Sequence, residues 1–297
     1  MTVTGFHIEP TNICTLKCPG CARTHFIDQW SQHWRNHSLD IDQLLTFLDV
    51  DLNGCSINLC GNYGDPIYHP DLPGFVTKLK QRGAVISITT NGSYRKAEWW
   101  HELVNVLTQQ DSITFSVDGT PENFTQYRIN ADWPSILDAM KVCVAAQCHT
   151  GWKYIPFNYN QDSIESAREL SYKIGIDEFV VTPSDRYDEH TVQFKPREDL
   201  IAFRYPAQQQ FKNSAAINQI APRCQTGEEH FITADGHYTP CCWLADHRFL
   251  YKTPFGKNKK QYSIKTHTLS EILTNAETVN FFQTLEQHTG CQYNCPA

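Results

Sequence analysis

The chain has 297 residues, 40% of them hydrophobic and 19% charged, with a net charge of −7. That length supports one large domain with a small appendage, and the acidic balance is the wrong sign for a protein that grips nucleic acid over its whole face. No apolar run approaches the ~18 residues of a membrane span, and the opening MTVTGFHIEP lacks a signal peptide's basic-then-apolar order, so a cytoplasmic protein is expected.

In chain order, Phe6–Glu9 reads as a short strand. Ile41–Leu48 reads as a helix with Asp40 as its cap. Ser56–Leu59 is a strand, Leu72–Gln81 a helix ended by Gly83, and Val85–Thr89 a strand. Lys96–Leu107 follows as a helix, Ser112–Val117 as a strand and Trp133–Ala146 as a helix. Lys153–Phe157 is the fifth strand, Ser163–Ile174 a helix ended by Gly175, and Glu178–Val181 the sixth strand. Strands separated by helices predict parallel βαβ units with right-handed crossovers. Six of them make an α/β fold, a partial (β/α)6 barrel with its chemistry at the C-terminal strand ends. Residues 184–222 lose this periodicity and read as a connector that is a candidate pocket wall. From residue 223 the composition shifts to His, Cys and turn residues. His230–Thr233 and His237–Pro240, joined by Ala-Asp-Gly, predict a β-hairpin, and Leu269–Leu285 predicts a helix. The expected division is therefore 1–183, 184–222 and 223–297.

The chain holds 12 cysteines, three of them in the first 21 residues and five at or after Cys224. Cytoplasmic thiols stay reduced, so metal ligation is the leading reason for so many. Cys14, Cys18 and Cys21 are spaced C-x3-C-x2-C, and Pro19 and Gly20 turn the chain sharply between ligands. Three protein ligands leave one position unfilled. In a zinc site that position takes a catalytic water; in a four-iron cluster it opens one iron to a small molecule.

This motif after a first strand resembles the signature of the radical S-adenosylmethionine (radical SAM) superfamily. Three further stretches match in order. C-G-N-Y-G-D-P-I-Y-H-P, from Cys60 to Pro70, resembles the family's glycine-rich turn after strand two, with Asp65 at the acidic position. T-T-N-G, Thr89 to Gly92, ends strand three, and S-V-D-G, Ser116 to Gly119, ends strand four with Arg128 beyond it. The resemblance covers residues 5–182. It implies that Cys14, Cys18 and Cys21 hold a 4Fe–4S cluster whose open iron chelates SAM. Reductive cleavage of SAM then gives a 5′-deoxyadenosyl radical that takes a hydrogen from the substrate. It also implies that Gly61, Asn62, Tyr63, Gly64 and Asp65 hold the methionine moiety, and that Asn91, Ser116, Asp118 and Arg128 reach the ribose or carboxylate. Asn62-Tyr63 interrupts the family's paired glycines, so backbone contacts there are expected to differ.

Cys224 to Cys241 reads C-x11-G-x4-C through Gly236. That resembles the opening of the SPASM and twitch extensions of radical SAM enzymes; a full SPASM region has more downstream cysteines than this chain, so the resemblance implies a twitch-like domain with one auxiliary 4Fe–4S cluster on Cys224, Cys241, Cys291 and Cys295. Four thiolates would close it for electron transfer. Cys242 is then spare: an alternative ligand to Cys241, or a hydrogen-atom donor to a substrate radical. Zinc is the competing occupant of these late cysteines.

Cys55, Cys143 and Cys148 read as buried, inert thiols, and Cys60 as packing. The stretch His25-Phe26 to His37, with Trp30, His33 and Trp34, is a candidate cap over the pocket. The expected reaction is oxidation, cross-linking or epimerisation of a peptide, sugar or cyclitol. No separate leader-binding domain precedes the first strand, which tilts the expectation away from peptides. A flavodoxin or ferredoxin is the expected electron donor. Arg248, Lys252, Lys257, Lys259, Lys260 and Lys265 keep nucleotide or tRNA modification open as an alternative, and a non-catalytic zinc or cluster protein is the third.

Overall fold

The computed structural model describes residues 3–184, 187, 191–201 and 220–295. The strands are β1 (Gly5–Ile8), β2 (Ser56–Leu59), β3 (Val85–Thr90), β4 (Ser112–Ser116), β5 (His149–Tyr154), β6 (Glu178–Val181), β7 (His230–Ile232) and β8 (Tyr238–Thr239). They form one sheet in the order β6-β5-β4-β3-β2-β1-β7-β8. Every pairing from β6 through β1 to β7 is parallel, and β7 with β8 is antiparallel. The connecting helices are α1 (Ala22–Trp30), α2 (Ile41–Phe47), α3 (Leu72–Gln81), α4 (Ala97–Val104), α5 (Trp133–Val144) and α6 (Ile164–Ile174).

Strand alternation sorts the side chains onto two faces. Phe6, Ile8, Ile57, Leu59, Ile86, Ile88, Ile113, Phe115 and Trp152 are buried against the helices and form the core. Each such side chain stabilises the fold by roughly 1.5–3 kcal/mol. His7, Asn58, Ser87, Thr89, Thr114, Ser116 and Lys153 alternate with them, are half-buried, and line the concave face. A parallel sheet carrying helices outside and polar groups inside is the predicted partial barrel.

Three elements depart from the sequence reading. The fifth strand begins at His149, four residues before the expected Lys153, because the polar start pairs with β4 through Ser112–His149 and Ile113–Thr150. The long helix expected over Leu269–Leu285 is two helices, Leu269–Thr274 and Ala276–Gln283 (α9 and α10 below). Asn275 sits between them with an extended ψ of 134°, and its side chain accepts from the Glu277 N–H, capping the second helix. The hairpin does not stand apart: β7 pairs with β1, so the C-terminal segment extends the main sheet. Two short helices between hairpin and α9, α7 (His247–Leu250) and α8 (Pro254–Lys257), and the last helix α11 (Thr289–Asn294), have no counterpart in the sequence reading. Much of the expected connector, residues 185–186, 188–190 and 202–219, lies outside the described residues.

Candidate functional site

The C-x3-C-x2-C loop leaves the end of β1 and stops at α1, whose N-cap is Cys21. The Cys21 N–H donates to the Cys18 carbonyl at 3.1 Å, which folds the loop back on itself. The three thiols lie close enough to oppose one another's ionisation. Burial, the largest influence, pushes Cys14 up to about 12 and Cys18 to about 11. Without a metal these two thiols keep their protons at neutral pH, so loading a metal site releases protons. Two donors await the thiolates. Asn91 Nδ2 points to Cys14 Sγ at 3.7 Å, and the Arg128 guanidinium bears on Cys18 and draws its pKa back down. A three-thiol set with a cation and an amide donor beside it suits an iron–sulfur cluster.

The predicted SAM residues gather at the same strand ends. Asp65 is 7% exposed and its carboxylate is fully used within the protein. Its Oδ1 accepts from Thr90 Oγ1 at 2.8 Å and from the Ile67 N–H at 3.2 Å. Its Oδ2 accepts from the Asn91 N–H at 2.6 Å and from Asn91 Nδ2 at 2.5 Å. Asp65 therefore braces the turn against the end of β3, leaving the turn's backbone as the part able to meet a ligand. Asp118, fully buried, likewise works through a neighbour: its Oδ2 holds Arg128 Nε at 2.6 Å and its Oδ1 accepts from the Ile155 N–H at 2.8 Å. That ion pair keeps Arg128 charged and aimed at Cys18. Ser116 stands half-buried on the concave face of β4, next to Lys153 across the ladder.

The turn from Gly61 to Asp65 lies hard against the cysteine loop. A Cβ at Gly64 would sit 1.9 Å from the Thr11 carbonyl oxygen, so only glycine permits this approach. Asn62 and Tyr63, which break the glycine pattern, face the C-terminal segment. Asn62 Nδ2 donates to the Cys242 carbonyl at 2.8 Å, and the Tyr63 ring packs edge-on against Trp34 at 5.8 Å. Phe26 lies between Trp30, Trp34 and His247, at centroid distances of 5.5, 5.7 and 6.1 Å. The aromatic stretch named as a cap is thus α1 with the 3-10 turn after it, leaning on the Tyr63 side of the turn.

Four of the late cysteines form a group, and Cys242 stands between that group and Cys60. Cys224, Cys241, Cys291 and Cys295 share one neighbourhood, each within electrostatic reach of at least one other. The end of the last helix is tied to the segment approaching Cys224 by the Ala221 N–H, which donates to the Cys295 carbonyl at 2.9 Å. Cys242 lies within electrostatic reach of both Cys241 and Cys60, the latter at the end of β2. Among the described residues no three His, Cys, Asp or Glu side chains converge as for a single metal ion, so these groupings rest on shared neighbourhood. Cys55, Cys143 and Cys148 are buried in the apolar core, away from both groups.

One residue escaped the sequence reading. Glu9, at 2% exposure, ends β1 and accepts the Tyr63 N–H at 2.7 Å and the Gly64 N–H at 3.1 Å on Oε1. The available signal was a carboxylate closing an otherwise buried strand just ahead of the cysteines. A cleft of about 560 Å³ lies at the other end of the strands, between Val3, Thr4 and Cys55 and the helices bearing Leu273 and Phe282. It contains none of these residues.

Two family models match the chain: the radical SAM superfamily over residues 8–171, and the SPASM iron–sulfur cluster-binding domain over residues 224–296. A curated protein of Pyrococcus furiosus, the tungsten-containing aldehyde ferredoxin oxidoreductase cofactor-modifying protein, is 29% identical over 119 residues. That match covers 39% of this chain and 31% of the relative, so the relative is much the longer protein. Among solved structures, anSMEcpe with AdoMet and the Cp18Cys peptide superposes with a TM-score of 0.62, at 13% identity over 96% of this chain and 84% of that one. Streptococcus suis SuiB bound to precursor peptide SuiA gives 0.61 at 13% identity, covering 95% and 67%. BtrN with AdoMet and 2-DOIA gives 0.51 at 14% identity, covering 100% and 94%. At these identities the structures share the fold with this chain.

Proposed function

The chain belongs to the radical SAM superfamily, and we propose that it abstracts a hydrogen atom from a peptide, sugar or cyclitol, leading to oxidation, cross-linking or epimerisation. A 4Fe–4S cluster and SAM are the cofactors of this family, and the SPASM match adds auxiliary iron–sulfur binding. When bound, the N-terminal cluster and SAM supply a 5′-deoxyadenosyl radical by one-electron cleavage of the sulfonium, with flavodoxin or ferredoxin as the electron donor in this reading. Cys14, Cys18 and Cys21 hold that cluster. The backbone of Gly61–Asp65 receives the methionine end of SAM, with Asn91, Ser116 and Arg128 on its polar groups. Asp118 orients Arg128, and Asp65 keeps the turn in place. Cys224, Cys241, Cys291 and Cys295 hold the auxiliary cluster. The same reading divides the chain at residues 183 and 223.

The observation that supports the catalytic part is that Cys242 lies between the late thiol group and Cys60 beside the SAM turn, within electrostatic reach of Cys241 and of Cys60. In this reading the Cys242 thiol gives its hydrogen atom to a substrate radical, as epimerisation requires, and the thiyl left behind regains an electron from the donor and a proton from solvent. Lys153, on the concave face and within reach of Cys60, offers a cation to an acidic group of the substrate. Two of the superposed structures hold peptides and one holds 2-DOIA, which supports either substrate class. The test is turnover in heavy water. A thiol exchanges with solvent, so deuterium in the product carbon, lost with Cys242→Ser, is the expected result. An unlabelled, two-electron-oxidised product sinks the thiol-donor version and points the electron to the auxiliary site.

Nucleic-acid modification loses support from the basic segment. Lys259 is paired with Asp235 at 2.6 Å, so one of the six charges is already used. Binding of tRNA at low salt, lost on neutralising Lys257, Lys259 and Lys260, would restore that reading.

A further inference from the structure

The turn assigned to SAM is held by both ends of the chain. Glu9 Oε1 accepts its Tyr63 and Gly64 N–H groups, while Glu9 Oε2 accepts the Ala234 N–H of the β7–β8 turn at 3.3 Å. A Cβ on Gly61 would lie 2.7 Å from the same Oε1, so the carboxylate presses on the turn along its length. Asn62 makes a second bridge, to the carbonyl of Cys242, one residue beyond the cluster-group Cys241. Tyr63 makes a third contact: its hydroxyl lies beside the His247 backbone, which favours its ionised form. The His247 ring meets Trp30 of α1 at 5.9 Å. Every residue that departs from a plain glycine turn is spent on the C-terminal segment.

We propose that Glu9 is a positioning residue which, with Asn62 and Tyr63, makes the C-terminal cluster segment a structural part of the SAM site, so that SAM affinity and the state of the β7–β8 turn depend on each other. A carboxylate taken out of water is costly unless its lone pairs are satisfied. Here three backbone donors from two distant regions satisfy it, and each region supplies what the other needs. The dependence runs both ways by linkage: whatever the segment contributes to SAM binding, SAM returns to the segment's order. The proposal rests on the assignment of the 61–65 turn to SAM.

Glu9→Gln keeps the shape but turns an acceptor into a donor that faces N–H groups. In anaerobically reconstituted protein it should leave the iron content unchanged and weaken SAM binding about tenfold in equilibrium dialysis (~1.4 kcal/mol). Asn62→Ala, which leaves Glu9 in place, is the second variant should Glu9→Gln fail to load iron, and it should weaken SAM by a smaller factor. The deciding readout is hydrogen exchange. In the wild type, SAM should slow exchange in residues 230–240 as well as in 61–65; Glu9→Gln should abolish the slowing in 230–240, and Asn62→Ala should reduce it. Unchanged SAM affinity in both variants, or a β7–β8 turn indifferent to SAM in the wild type, overturns the proposal. SAM that binds without protecting 61–65 overturns instead the assignment of the turn.

Discussion

Cys14, Cys18 and Cys21 come from one loop between β1 and α1, whereas Cys224, Cys241, Cys291 and Cys295 are gathered from a 3-10 turn, the end of a hairpin and the last helix. The first set is anchored by a strand inside the sheet, by Asn91 at the end of β3 and by Arg128 in the loop between β4 and α5. The second set closes a segment built from short pieces, among them α7 and α8 of four residues each. A local ligand set needs only its loop to be folded. A dispersed set must bring several elements together, so a metal bound by it would contribute to folding as well as binding there.

The largest effect should come from breaking each set in turn. Replacing Cys14, Cys18 and Cys21 by Ala should remove about half of the iron, from about eight to about four per chain if both clusters are of the four-iron type. SAM cleavage should vanish while the thermal unfolding of the segment barely moves. Replacing Cys224 and Cys291 by Ala should also halve the iron, yet lower the melting temperature and speed hydrogen exchange over residues 224–295. Equal effects of both variants on stability would contradict the contrast just drawn.

An intermediate effect is expected at the seam where the two regions meet. His7 on β1 and His230 on β7 are both held near a pKa of about 4, well below 6.5, chiefly because burial disfavours their charged form. His7 Nε2 pairs with the Cys60 carbonyl at 2.6 Å, and His230 Nδ1 with the Tyr238 hydroxyl at 2.8 Å. Their folded-state pKa is depressed, so their contribution is present above pH 6.5 and is lost as pH falls toward 4. The full loss is on the order of 3 kcal/mol per histidine. Glu9 works the other way: burial pushes it up to about 7, so the stability its protonated form adds below pH 4.5 fades as pH rises through 7. Urea midpoints measured from pH 4 to 8 should fall steeply on the acid side, and His230→Gln should flatten that limb. A limb unchanged by the substitution would place the acid sensitivity elsewhere.

The smallest expected effect is local. Asn275→Ala removes the cap of α10 and should cost ~1 kcal/mol, read as a small drop in the segment's urea midpoint with cluster content intact. A loss of iron instead would mean that α9 and α10 position the late cysteines directly.

Legibility in the sequence followed the range of the interactions. The βα alternation was readable because core positions recur with the strand and helix periods, and Asp40 announces a helix start as a side-chain cap; Asp71 and Asp132, which the structure shows capping α3 and α5, went unread. The break at Asn275 was not, since Thr-Asn-Ala continues an acceptable helical pattern and only the observed turn reveals that Asn275 caps a second helix. The fifth strand was misplaced because His149 to Trp152 lacks a plain alternation and is fixed by ladders on both sides.

The sequence by itself pointed to the family and the parallel fold, because the ordered motifs that carry the resemblance and the strand and helix periods are each written in contiguous residues. Only the tertiary structure decided that the hairpin joins β1, that Cys242 borders Cys60, that Asp65 and Asp118 serve their neighbours, and that Glu9 accepts from both the 61–65 turn and Ala234. Those outcomes depend on which distant backbone groups meet inside a buried, hydrogen-bonded environment, and no local pattern encodes such a meeting.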